Sequence, residues 1–172
     1  MLRLVLALNA LALAAGCSEA GSPPHAAGGT AGAPVVEPSV ELGVPTGDDG
    51  LGFLALEDGA ELRLQTFGQG GTHVLVAVRC LGFDKRAFVS ATLRNVATGV
   101  EVEEPSPVRP QLLYCHDAGV CDLVPYLVHA SGLTKTDQEK AGLIVRLTVE
   151  VHDDAGTMAQ TSLDAVLSTA DL

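Results

Sequence analysis

The run LIVRLTVEVH, Leu143 to His152, alternates apolar and polar residues with period two. Successive side chains of an extended chain point to opposite faces, so the alternation commits this segment to a strand with one dry face and one wet face. Leu143, Val145, Leu147, Val149 and Val151 are assigned inward, and Arg146, Thr148, Glu150 and His152 outward. A strand of this kind cannot stand alone. It requires a neighbouring strand to pair with and a second apolar layer against its dry face.

Those neighbours are legible elsewhere. THVLVAVRCLGF places Val74, Val76, Val78 and Cys80 on one face and His73, Leu75, Ala77 and Arg79 on the other. Glu61 to Gln65 alternates in the same way, and weaker strand signals cover 51–56, 87–96, 100–104, 111–115, 120–128 and 158–167. EDG at 57–59, NVATG at 95–99 and DDAG at 153–156 are turn sequences, in which Asp or Asn tolerates the bend and Gly takes positive φ. FGQGGTHV at 67–74 lacks the Gly-Lys-Ser/Thr ending and following helix of a phosphate-binding loop, and is read as a glycine-rich hairpin turn. Between two strands, LTKTDQEKAG holds either a polar loop or one helical turn, Thr136 and Glu139 having the form of a capping box. Short strands punctuated by such turns predict an all-β fold, an antiparallel β-sandwich of about 7–9 strands over 50–172. It resembles Ig-like sandwiches in strand number and turns, without their Cys…Trp…Cys pattern, since the chain has no Trp.

The N-terminal region is of another kind. Met1-Leu2-Arg3 carries one positive charge, and Leu4 to Ala15 is apolar apart from Asn9. Crossing a bilayer takes about 20 apolar residues, and this segment is shorter. A charged start, a short apolar core and a small-residue ending mark a secretory signal peptide. The ending, Ala14-Ala15-Gly16-Cys17, resembles the lipobox of bacterial lipoproteins, with Ala14 where Leu is commonest. The resemblance implies that 1–16 is removed and that Cys17 receives a diacylglyceryl group and N-acylation, palmitate among the acyl chains. It also implies an outer-membrane destination in the cell envelope, because Ser18 stands where Asp favours retention in the inner membrane. More than one acyl chain makes such anchoring effectively permanent, at about 0.8 kcal/mol per buried methylene. The plainer alternative is an ordinary signal peptide cut near Ala15, leaving Cys17 as a thiol. Residues 17–49, rich in Gly, Ala and Pro, are read as a flexible tether. Val35, Val36, Val40 and Leu42 are the residues that would dock if part of it formed a first strand.

Past Cys17 the chain holds Cys80, Cys115 and Cys121. In an oxidising compartment CHDAGVC is expected to close as a Cys115–Cys121 disulfide, with Asp117-Ala118-Gly119 as the bend. Cys80, on the valine face, is expected to be a buried small hydrophobe. The rival reading makes Cys115, His116 and Cys121 a metal-binding or thiol-dependent site completed by His129 or His152. Their spacing does not meet the usual two- to four-residue zinc pattern, and no metal or other cofactor is assigned. His73, Arg79 and Arg63 are read as solvated strand residues rather than an anion site.

No nucleophile elbow or metalloprotease motif occurs, and no catalytic residue is assigned. A formal charge of −11 without Lys/Arg clusters excludes nucleic acid as a natural partner. Aromatics at 3% argue against sugar-stacking sites. The sequence therefore points to a non-catalytic binding or scaffolding module held on a membrane through Cys17. Its partner class is another envelope protein, and the exposed edges of the sheet are one route to it.

Overall fold

The computed structural model of the chain describes residues 36–67, 71–101, 109–116, 119–130 and 137–169. Cys17 and the whole signal segment lie outside them. Ten strands and one helical turn are present among these residues: β1 (Ser39–Thr46), β2 (Gly52–Ala55), β3 (Ala60–Thr66), β4 (Thr72–Leu81), β5 (Arg86–Asn95), β6 (Arg109–Leu112), β7 (Tyr114–Cys115), β8 (Val120–His129), α1 (Asp137–Lys140), β9 (Ile144–Asp153) and β10 (Met158–Thr169).

The alternation seen in the sequence is realised. Val145, Leu147, Val149 and Val151 of β9 are fully buried, as are Val74, Val76, Val78 and Cys80 of β4. Ala87, Val89, Ala91 and Leu93 of β5 join them, with Leu163, Ala165 and Leu167 of β10, in one apolar cluster. Fully burying a Val or Leu side chain is worth about 1.5–3 kcal/mol, so this cluster is the main source of stability. Turn chemistry closes the β9–β10 hairpin. Asp153 Oδ1 accepts from the backbone N–H groups of Ala155 and Thr157 at 3.0 and 2.9 Å, and Gly156 supplies the φ of 87° that the bend requires. The pair then runs in register from Met158↔His152 to Val166↔Ile144.

The expectation of a purely antiparallel sandwich is corrected. The sheet is mixed, because β10 pairs with β3 in parallel, Ala165↔Ala60 through Thr169↔Leu64. Period-two patterning fixes which face of a strand is dry but not the direction of its neighbour. Only a short hairpin forces antiparallel pairing, and β3 and β10 are far apart in the chain. The strands follow the order β2-β1-β4-β3-β10-β9-β5-β6, with β8 on β4 and β7 on β8. The sheet curls until β8 meets β5 across the core, where Tyr126 Oη donates to the Val89 carbonyl at 3.2 Å.

The folded part also begins earlier than Gly50. Within the expected tether over 17–49, Ser39–Thr46 forms β1, pairing with β2 on one edge and with β4 on the other. Its alternation is short but sufficient, since Val40 and Leu42 are buried against the core. The capping-box segment contributes one helical turn at Asp137–Lys140, with Thr136 outside the described residues. Of the expected strand at 100–104, Glu101 forms an isolated bridge to Arg94, and 102–104 lie outside the described residues.

β4 is the hub of this arrangement. One edge is taken along nearly its whole length by β8. The other is shared end to end, by β3 at Thr72–Val74 and by β1 at Ala77–Leu81. Where β3 and β1 part, an open groove of about 430 Å³ remains, lined by Val44, Pro45, Glu61, Arg63, Gln65 and Leu75.

Candidate functional site

The densest polar chemistry lies where β7, β8, β4 and β1 run side by side. Register places Tyr114 opposite Asp122, Asp122 opposite Arg79, and Arg79 opposite Glu41. Directly opposed residues share a face, so these form one row across four strands. The next row contains Cys115, Cys121, Cys80 and Val40. It faces the other way, because successive residues of a strand alternate, with Cys121, Cys80 and Val40 buried in the core and Cys115 exposed at its end.

Asp122 is the centre of the outer row. Its carboxylate is almost wholly buried and accepts two hydrogen bonds from Arg79, Nε to Oδ1 at 2.8 Å and Nη2 to Oδ2 at 2.9 Å. His116 Nε2 lies 3.1 Å from the same Oδ2. The paired guanidinium holds the Asp122 carboxyl below the ordinary carboxylate range despite burial, and His116 adds to the effect. The bidentate fork fixes the guanidinium plane as well as its charge.

That plane rests on an aromatic ring. The guanidinium carbon of Arg79 sits 4.1 Å from the centroid of Phe53, a cation–π contact reaching across from β2. The ring can lie there because β1 carries glycine beneath it. A Cβ on Gly43 would meet Phe53 Cε2 and the Leu54 carbonyl oxygen, each at 2.6 Å. On the far side, the Tyr114 and His116 rings meet edge to face at 5.9 Å, and Tyr114 is 73% exposed.

On the inner row, Cys115 and Cys121 are disulfide-bonded across β7 and β8, and Cys80 is a buried free thiol. Both agree with the sequence reading. Burial pushes the Cys80 thiol up to about 12, the Asp122 charge adding to the effect.

The rival metal or thiol site is not assembled. Cys115 and Cys121 bind each other, and His116 turns to Asp122. The His129 ring packs on His73 at 4.3 Å, and His152 stacks on Phe88 at 4.9 Å. Among the described residues no group of three or more His, Cys, Asp or Glu is arranged to hold a metal ion. His73, Arg79 and Arg63 likewise do not gather: His73 is buried among Phe67 and His129, Arg79 is committed to Asp122, and Arg63 lines the groove.

The Arg79–Asp122–Phe53 arrangement has no signature in the linear sequence. Asp122 in the middle of a strand segment was the available signal, since a charge there demands a partner. The partner's identity follows only from register.

No protein-family model matches this sequence, and no curated protein matches it. Among solved structures, the CooA pilin subunit from enterotoxigenic Escherichia coli is similar, with 12% sequence identity and a TM-score of 0.35 over 77% of this chain and 99% of that one.

Proposed function

We propose that this chain is an envelope lipoprotein: a non-catalytic binding or scaffolding module, built as a curled Ig-like sandwich and held on a membrane by acyl chains on Cys17. One observation carries the reading, the apolar segment Leu4–Ala15 ending on Ala14-Ala15-Gly16-Cys17. Acyl attachment there turns a diffusing domain into a surface-bound one. Ser18 supports the outer membrane as destination.

The domain behind the anchor suits recognition rather than chemistry. Its polar side chains of highest density are tied to one another, Arg79 to Asp122 and Asp122 to His116. Tyr114 stands beside them largely exposed, and Tyr and Arg are the residue types that dominate binding energy at protein interfaces. The partner class is accordingly another envelope protein.

Detergent phase partitioning of the full chain, expressed in a bacterium that processes lipoproteins, tests the anchor. Wild-type protein is expected in the detergent phase and Cys17→Ala in the aqueous phase. Wild-type protein recovered wholly in the aqueous phase overturns the reading.

A further inference from the structure

The inner row contains more than a disulfide and a thiol. Cys80 of β4, Cys121 of β8 and Cys115 of β7 are consecutive members of one cross-strand row. Directly opposed residues of antiparallel strands have Cβ atoms about 4.5–5.5 Å apart. A disulfide needs about 3.5–4.5 Å, so bridging Cys80 to Cys121 takes a shift of about an ångström between β4 and β8. Cys121 thus has its bonded sulfur on one flank and the Cys80 thiol opposite it on the other.

Direction matters as much as distance. Thiolate attack on a disulfide passes through a sulfur with the attacking and leaving atoms on opposite sides. β8 runs between β4 and β7, which sets Cys121 between Cys80 and Cys115 in that same order. The two ends of the row differ in access: Cys80 has no exposed surface, whereas Cys115 is exposed.

We propose that the Cys115–Cys121 bridge exchanges with Cys80, moving the free thiol from the core to the surface at Cys115 and making Cys115 a modification site for external disulfides. In the first step a local opening between β4 and β8 admits water, Cys80 gives its proton to that water, and its Sγ attacks Cys121 Sγ. The Cys80–Cys121 bond forms and the Cys115–Cys121 bond breaks, with the electron pair leaving on Cys115 Sγ, which takes a proton from water. Among Cys80, Cys115 and Cys121 one thiol and one disulfide are present before and after, so neither oxidant nor reductant is consumed. In the second step Cys115 thiolate attacks the disulfide of a low-mass or protein partner, forming a mixed disulfide and releasing one thiol. The buried thiol ionises rarely, so the exchange falls at the slow end of disulfide reshuffling, on the order of hours.

Timed alkylation of the natively folded full chain tests this. Iodoacetamide is added, and aliquots are taken over hours, digested without reduction and mapped by mass spectrometry. The expected result is a label growing on the Cys115 peptide in step with a Cys80–Cys121 bridged peptide. Both are expected to vanish in Cys80→Ala and in Cys80→Ser. Label confined to Cys80, no label at all, or label on Cys115 without the Cys80–Cys121 peptide overturns the proposal. The wild-type map decides the matter even if both variants fail to fold.

Discussion

The β5–β9–β10 region and the β1–β4–β8 region are built from the same material and behave differently. In the first, each strand has one dry and one wet face, as with Leu147 fully buried and its neighbour Arg146 exposed beside Asp164. In the second, β4 is covered on both faces. Val74, Val76 and Val78 are buried on one side, and His73 and Ala77 are buried on the other. A strand wet on one face can satisfy its polar residues with water. A strand covered on both must find partners for each, and the Arg79–Asp122 fork with its Phe53 support meets that demand. The difference teaches that two-sided burial, rather than any motif, concentrates chemistry at β4 and β8.

Several substitutions can break or sharpen that contrast. The largest expected effect is in the simpler region: Leu147→Ala should cost about 3 kcal/mol in urea unfolding, combining lost burial with a cavity. On the opposite face of the same strand, Thr148→Ala should change stability by less than about 0.5 kcal/mol. If the two cost the same, the one-dry-face description of β9 fails.

In the two-sided region, Gly43→Ala should cost about 2 kcal/mol, because the added methyl collides with a backbone carbonyl and the Phe53 ring. Removing the bridge with Cys115→Ser and Cys121→Ser together should cost about 2 kcal/mol, the chain-entropy value for so short a loop. A smaller effect is expected for Asp122→Asn, about 1.5 kcal/mol, because charge-assisted hydrogen bonds are lost while Arg79 retains partial access to water.

The Asp122 variant also has a pH signature. The folded-state carboxyl lies below its ordinary value of 3.8, so its contribution is fully present above that value and is lost as pH falls through the lower, folded one. Wild-type stability should therefore drop toward the Asp122→Asn level on acidification below about pH 4. A gap between the two proteins that stays constant down to pH 2 would contradict the assigned pairing.

The contrast also explains what could be read from the sequence. The five-fold apolar alternation at Leu143–Val151 needs no tertiary knowledge, and β9 follows it. The short span between Cys115 and Cys121 likewise limits where each can pair. By contrast, the parallel pairing of β3 with β10 leaves no trace in composition, because either direction buries the same Leu62 and Leu64. β1 was obscured by its surroundings: Val40 and Leu42 are its only deeply buried large side chains, set among Pro and Gly residues that read as linker. Arg79 and Asp122 are 43 residues apart, and only the register of β4 with β8 joins them. Gly43 was indistinguishable from linker glycine until the ring of Phe53 was placed above it.

The anchor is the claim on which the functional reading depends, and the mass of the mature N-terminal peptide tests it most directly. Protein purified from bacterial membranes should yield a peptide that begins at Cys17 and carries the added mass of a diacylglyceryl thioether and an amide-linked acyl chain. An N-terminal peptide that begins at another residue, with Cys17 recovered as an unmodified thiol, would contradict it.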